Sequence, residues 1–375
     1  MNWTDPWLTS MRRVGDPLVD PLVSEYVARH PSDAGSLLGA LFRTSRMPEN
    51  HALVAAYAKT LPAIVFSAAD RARIERGQRV FELLGPEILL VLGTYALPLA
   101  YAAGDGVQVV YRARRLKEDP VRRLCDTAQM VINVMQPGQL DDGGVGWYST
   151  RKVRLIHALV RHHVQTDPAN PWSMAWGVPI NQEDQAGTLM SFSVAVLGAL
   201  KKMGAKIGPE DSAAYVFAWT AIGRMLGIDE SLLPASENEA ATLARRIGER
   251  QFRPTPEGKE LTEQLLGVVE RLSPVNGYAL SLTHFFVDDG VFGPNVASAL
   301  QLPAPNWTKR LVSLRAAQKR VVLGLLDRVP GARRRRSFVA RRFAQALILL
   351  QRPDKNVPFE VPAKWRAEWR TESGS

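Results

Sequence analysis

From Ala34 onward, apolar residues recur at three- and four-residue spacing in almost every segment of the chain, and this period limits the fold more than any other feature. SLLGALF, HALVAAYAKTL, RVFELL, TLMSFSVAVLGALKKMG, AAYVFAWTAIGRMLG and LVSLRAAQKRVVLGLL all carry it. The two-residue alternation of a half-buried strand is scarce, with VQVVY (107–111) as the main strand candidate. The pattern predicts an all-α fold. Pro6, Pro17, Pro21 and Pro31 interrupt the start of the chain, so residues 1–33 read as an irregular arm. Residues 34–310 then form one helical domain, and 311–375 a basic helical segment and tail.

Composition narrows the class. Of 375 residues, 46% are hydrophobic and 22% charged, which fits a soluble globular chain and excludes collagen, coiled coil and wholesale disorder. The one cysteine, Cys125, excludes an internal disulfide framework, cysteine zinc sites and covalent c-type haem attachment. MNWTDPWLTSMRR carries charges where a signal peptide needs an apolar run, so a cytoplasmic location is expected. The longest uncharged stretch, Ile88 to Gly104, has 17 residues. That falls short of the roughly 20 a spanning helix needs, and predicts a buried core helix bent or ended near Pro98.

The formal charge of +10 is unevenly placed. Twelve Lys and Arg against one acid, Asp327, give Lys309–Gln345 a charge of +11, which leaves −1 for everything else. A near-neutral body thus carries one basic segment. Within it, GARRRRSFVARRF (331–343) suits docking on an anionic membrane through Arg333–Arg336. Nucleic acid is the weaker partner, since no recognition motif accompanies the arginines.

Metalloprotease, hydrolase-elbow, dinucleotide and kinase signatures are missing. The Gly-rich QPGQLDDGGVG (136–146) lacks the residues of a P-loop or an EF-hand and reads as a connector. Three of the six histidines fall in RKVRLIHALVRHHVQ (151–165). With Thr150 as cap, Val153, Leu155, Ile156, Leu159, Val160 and Val164 share one helix face, and Arg154, His157 and Arg161 the other. Two readings fit that polar face. It is either solvated, or it addresses a charged cofactor edge, with a neutral imidazole as iron ligand and guanidiniums for propionates.

Four motifs in order favour the second reading: R-L-x-x-T within RRLCDTA (122–128), V-R-L-I-H-A-x-V-R, G-x-P-I-N-Q-E-D within 176–192, and W-x-x-x-G-x-x-x-G-I within 218–229. Over roughly residues 85–310 the chain resembles the latex-clearing protein (rubber oxygenase) and MpaB-type oxygenase family. The resemblance implies a single globin-like helical domain around a non-covalent b-type haem. It makes His157 the proximal iron ligand and places Arg154 and Arg161 beside it as cofactor-orienting or neutralising groups. It puts Arg123 and Thr127 on the distal side, where they would hydrogen-bond dioxygen or steer substrate; a surface Arg and a back-bonded Thr fit the residues equally well. Rubber-cleaving members carry a lysine directly before that Thr, able to take the sixth iron position. Here the residue is Asp126, which is either a proton relay, a weak ligand or turned away. The family's general base has no secure counterpart, although Glu118 and Asp119 lie nearby in sequence.

Other polar residues receive structural readings. Glu183 and Asp184 suit a helix N-terminus. Trp219, Gly223 and Gly227 suit close packing of a neighbouring helix or the haem, and His284 suits a buried, hydrogen-bonded position. The resulting expectation is a haem-dependent oxygenase that cleaves a C=C bond in an apolar, unsaturated or isoprenoid-like substrate. The competitors are a basic docking protein and a haem-binding homologue without catalysis.

Overall fold

The computed structural model describes residues 3–43, 47–48, 50–114, 120–273, 275–287 and 290–326. Among them the regular structure is helical, with one isolated bridge between Ala103 and Phe252. The first helices are α1 (Asp5–Met11), α2 (Asp20–Arg29), α3 (Pro31–Arg43), α4 (Ala52–Thr60) and α5 (Ala68–Val91). A π-helical turn, Leu92–Ala96, joins α5 to α6 (Leu97–Ala102). Then come α7 (Val107–Arg114), α8 (Pro120–Val134), α9 (Val145–Thr166), α10 (Gln182–Phe192), α11 (Val194–Lys202) and α12 (Pro209–Met225). The last are α13 (Glu237–Gln251), α14 (Pro256–Glu270), α15 (Tyr278–Val287), α16 (Val296–Ala299) and α17 (Thr308–Leu326).

The arm is helical, contrary to the reading of 1–33 as irregular. Pro6 and Pro21 stand in the first turns of α1 and α2, and Pro31 opens α3. Proline lacks an N–H that the first turn leaves unpaired anyway, so it starts helices as readily as it breaks them. The arm also packs as part of the body: Trp3 and Leu8 join the main core, and Val19 and Val23 pack with Leu155, Leu159 and Val160 of α9.

VQVVY is likewise helix, within α7. A lone strand would leave its N–H and C=O groups without a ladder, whereas a helix satisfies them internally while burying Val107 and Val109. The uncharged stretch is core, as expected: its helix passes into the π-helical turn Leu92–Ala96 just before Pro98 and ends at Ala102, and a separate kink lies upstream of it. Leu84 leaves helical geometry (φ −125°) two residues before Pro86, and Pro98 sits quietly in the first turn of α6. Ala68–Ala102 is long and apolar enough to cross a membrane, yet 61% of its most apolar window is buried inside the protein. Its closest partner is α12, where a side chain at Gly77 would meet the Ala214 carbonyl at 2.3 Å.

Capping places the remaining starts. Ser67 and Asp70 form a reciprocal capping box on α5, and Asn181, Ser236 and Thr255 cap α10, α13 and α14. Residues 327–375, including Arg333–Arg336, lie outside the described residues, as do Glu118 and Asp119.

Candidate active site

α8 and α9 form an antiparallel hairpin whose register is visible in one contact: Asn133 Nδ2 donates to Ser149 Oγ at 2.8 Å. Counted along ideal helices from this contact, eight residues back along α8 and eight forward along α9, each about 12 Å of rise, would put Cys125 and His157 at about one height. Arg123, Asp126 and Thr127 fall within a turn of that level. Helix α9 begins earlier than the sequence indicates, with Gly144 as N-cap in place of Thr150. Gly144 lies so close to Gln139 that a Cβ would stand 2.4 Å from its carbonyl oxygen. Thr150 instead donates to the Trp147 carbonyl at 2.9 Å.

His157 is half-buried, and its Nδ1 is buried without a hydrogen-bond partner. Burial, reinforced by the Arg161 charge, lowers its pKa from 6.5 to about 4. The imidazole is therefore neutral at physiological pH, with a lone pair free for a metal. The Gln185 side chain, beside the ring, opposes that shift. His162 is half-buried beside Ser24, with 3.4 Å between Nδ1 and Oγ, and His163 is exposed.

The solvated face does not exist. Arg154 and Arg161 are 6% and 2% exposed, and both are ion-paired. Arg154 binds Asp16 through Nε (2.5 Å) and Nη2 (2.9 Å). Arg161 pairs with Asp20 through Nη1 and donates to the Pro179 and Ile180 carbonyls at 2.8 Å each. The amino-terminal arm thus supplies the carboxylates that the sequence reading assigned to haem propionates. A helical wheel cannot anticipate this, because Asp16 lies 138 residues from Arg154.

On α8, Arg123 donates to the Val110 carbonyl at 3.3 Å, and Thr127 back-bonds to the Arg123 carbonyl at 3.0 Å. Burial raises the Tyr101 pKa, and the positive charge of Arg123 opposes it, which places the guanidinium near that phenol. Asp126 is half-buried and Cys125 buried. Beyond Val110 lies a mainly apolar pocket whose lining includes Leu99, Val110, Ile247 and Phe292, with Asp184, Thr188 and Gln251 as polar members.

Glu183 does more than favour a helix start. It is fully buried and accepts from Arg250 Nε (2.9 Å), Gln251 Nε2 (3.0 Å) and Arg12 Nη1 (3.4 Å). Asp184 accepts from Arg12 Nη1 and Asn181 Nδ2, both at 2.7 Å. Burial raises both carboxyl pKa values, and the arginine charges work against it. Gly223 receives the Leu189 and Leu233 side chains, as close packing requires. Gly227, at φ +83°, instead faces the Arg154 guanidinium, which a Cβ would meet at 2.6 Å. His284 is buried and bonded to the Pro303 carbonyl at 2.9 Å.

Residues 77–326 match the model of the family described as ER-bound oxygenase mpaB/B'/Rubber oxygenase, catalytic domain. The chain belongs to this family. All four motifs read from the sequence lie in the matched span, so this mpaB/rubber-oxygenase catalytic domain, from a family of oxygenase enzymes, accounts for them together. The chain is 27% identical over 275 residues to the rubber oxygenase of Streptomyces sp. (strain K30). That match spans 72% of this chain and 63% of the relative's own length. The solved structure of latex clearing protein LCP in the closed state superposes with a TM-score of 0.69 at 24% identity. The superposition covers 89% of this chain and 91% of LCP, and establishes a shared all-helical fold.

Proposed function

We propose that the protein is a b-type haem-dependent oxygenase that cleaves a C=C bond of an apolar, isoprenoid-like substrate, with His157 as the proximal iron ligand. The observation that carries this reading is the imidazole itself: neutral, half-buried, and with Nδ1 unpartnered inside the protein. Such a nitrogen is costly unless something completes its bonding. Among the described residues no three His, Cys, Asp or Glu side chains cluster as a metal site. A single protein donor suits an iron that arrives with four ligands of its own, as in haem. The family membership and the rubber oxygenase relative support the same chemistry.

Bound haem would supply the iron at which dioxygen is activated. The chain's own residues do the rest. His157 would hold the cofactor from α9, and Arg123, Asp126 and Thr127 on the neighbouring α8 would stand near that level. Arg123 brings positive charge and N–H donors to that level. Asp126, on the same stretch of α8, would be the acid that holds a proton. The apolar pocket beyond Val110 gives an alkene a water-poor approach. The overall reaction balances without an external reductant: one dioxygen and one C=C bond give two carbonyl groups. Asp126 stands where rubber-cleaving members have lysine, so an amine cannot cap the iron here and polyisoprene is one of several candidate substrates.

The test is the absorption spectrum of protein expressed with haem supplied. A Soret band is expected in the wild type and should be lost or strongly altered in His157→Ala. A wild type without the band overturns the reading.

The basic carboxy-terminal segment supports docking of the enzyme on an anionic membrane, where an apolar substrate would concentrate. Trp307 and Leu314, just before and on α17, are 65% and 67% exposed at the entrance to that segment. Binding to phosphatidylserine-containing vesicles should weaken when Arg333–Arg336 become Ser. Equal binding by both proteins removes this part of the proposal.

A further inference from the structure

Arg154 and Arg161 stand at i−3 and i+4 from His157, one turn to either side on its own stripe of α9. Each is gripped by an acid of the arm, and the two grips are joined. Asp20 Oδ2 accepts from the Asp16 amide at 2.8 Å, while Asp16 Oδ1 also accepts from the Leu18 and Val19 amides. Gly15 lets the arm come this close, since a Cβ there would lie 2.3 Å from Asp20 Oδ2 and 2.9 Å from Arg161. Gln182 closes the far side. Its amide nitrogen donates to the Gly15 carbonyl (2.7 Å) and the Gly227 carbonyl (3.0 Å), and its oxygen accepts from Asp229 N (2.8 Å).

The network also reaches the imidazole from α10. Ile180 has φ +52°, a conformation that β-branched residues rarely adopt. There its carbonyl accepts from both Arg161 Nη2 (2.8 Å) and Gln185 Nε2 (3.2 Å). With its nitrogen held in this way, Gln185 has its carbonyl oxygen left for His157. A backbone outlier is thus retained where it aligns one arginine and one amide about the histidine.

We propose that Asp16 and Asp20 are positioning residues for His157: through Arg154, Arg161 and the Ile180 carbonyl they fix the roll of α9 and the placement of Gln185, and so the direction in which the imidazole presents itself. This rests on reading His157 as the haem ligand. Both acids lie outside residues 77–326, so part of the site's geometry comes from a segment beyond the matched catalytic domain. Outer-shell partners of a metal-bound histidine characteristically set its orientation and donor strength.

The experiment compares wild type, Asp16→Asn, Asp20→Asn, the double variant and Asp20→Glu, each loaded with haem b. Asparagine at 16 keeps the oxygen that accepts from Leu18 and Val19 while removing the charge. Transfer of haem to an apomyoglobin scavenger should run at least tenfold faster in the double variant, and the iron–histidine stretch in resonance Raman should shift or broaden. Asp20→Glu should recover most of the wild-type rate. In haem-free protein, nitrogen NMR of His157 should change from one ring tautomer to a mixture.

Transfer within twofold of wild type, with an unchanged stretch, would overturn the proposal even if the variants melt at lower temperature. If the double variant does not fold, Asp20→Asn alone decides by the same criteria, since its pair is the more exposed of the two. A wild type that binds no haem sinks the ligand reading and leaves the tautomer measurement to judge the positioning.

Discussion

The burial that keeps His157 neutral also ties the protein's stability to pH. An unfolded chain takes up a proton at this histidine as pH falls through 6.5, whereas the folded site resists until about 4. The unfolded state therefore binds more protons in that window, and stability present above pH 6.5 is lost as pH falls toward 4. The full shift corresponds to an upper limit of about 3 kcal/mol. Urea titrations of the haem-free protein between pH 7 and 4 should show this decline, and His157→Gln should flatten most of it. The remaining slope combines His162, whose pKa burial also lowers, with Asp20, Glu183 and Asp184, whose raised carboxyls bind protons in the folded state and act in the opposite direction. A slope unchanged by His157→Gln would mean that the imidazole is solvated. At this scale, sequence spacing correctly grouped Arg154, His157 and Arg161 on one stripe. It could not say what the stripe faces, because the answer is an arm brought back from the other end of the fold.

At the scale of elements, local signals located helices well and misjudged what begins or bends them. The proline-rich arm became two helices because a first-turn proline loses nothing there. Glycines divide by what surrounds them. At Gly77 the neighbour is the Ala214 backbone of α12, at 2.3 Å from a new Cβ, and it cannot swing away. Gly267 on α14 has nothing within 4 Å. Gly77→Ala should therefore destabilise by about 1–3 kcal/mol through overpacking, and Gly267→Ala should stabilise by about 0.5–1 kcal/mol through lower unfolded-state entropy. Chemical denaturation of both variants checks the pair. Equal effects at the two positions would contradict the close approach of α5 to α12.

Across the whole molecule, a buried charge network ties the arm to the helices behind the pocket. Glu183 on α10 faces Arg12 from the arm and Arg250 and Gln251 from α13, and Arg12 also approaches Asp105. Removing a buried partner leaves uncompensated charge, so Glu183→Ala should cost about 3–5 kcal/mol. The Arg71–Asp141 pair, nearly half-exposed on both sides, is a contrast: Arg71→Ala should cost less than about 1 kcal/mol. Urea midpoints of the two variants separate these cases. Comparable losses would show that the arm is not anchored through Glu183. The charge count had already separated a near-neutral body from one basic segment, because formal charge needs no coordinates.

The sequence by itself determined the helical class and the ordered motifs, because these depend on local period and residue chemistry; it singled out His157 through the family resemblance those motifs carry. Tertiary structure alone decided that Arg154 and Arg161 are buried, that Asp16 and Asp20 neutralise them, and that Gly227 makes room for a guanidinium. Those facts join residues far apart in the chain, as Asp16 and Arg154 are at 138 positions, and only burial with desolvation turns their spacing into an interaction.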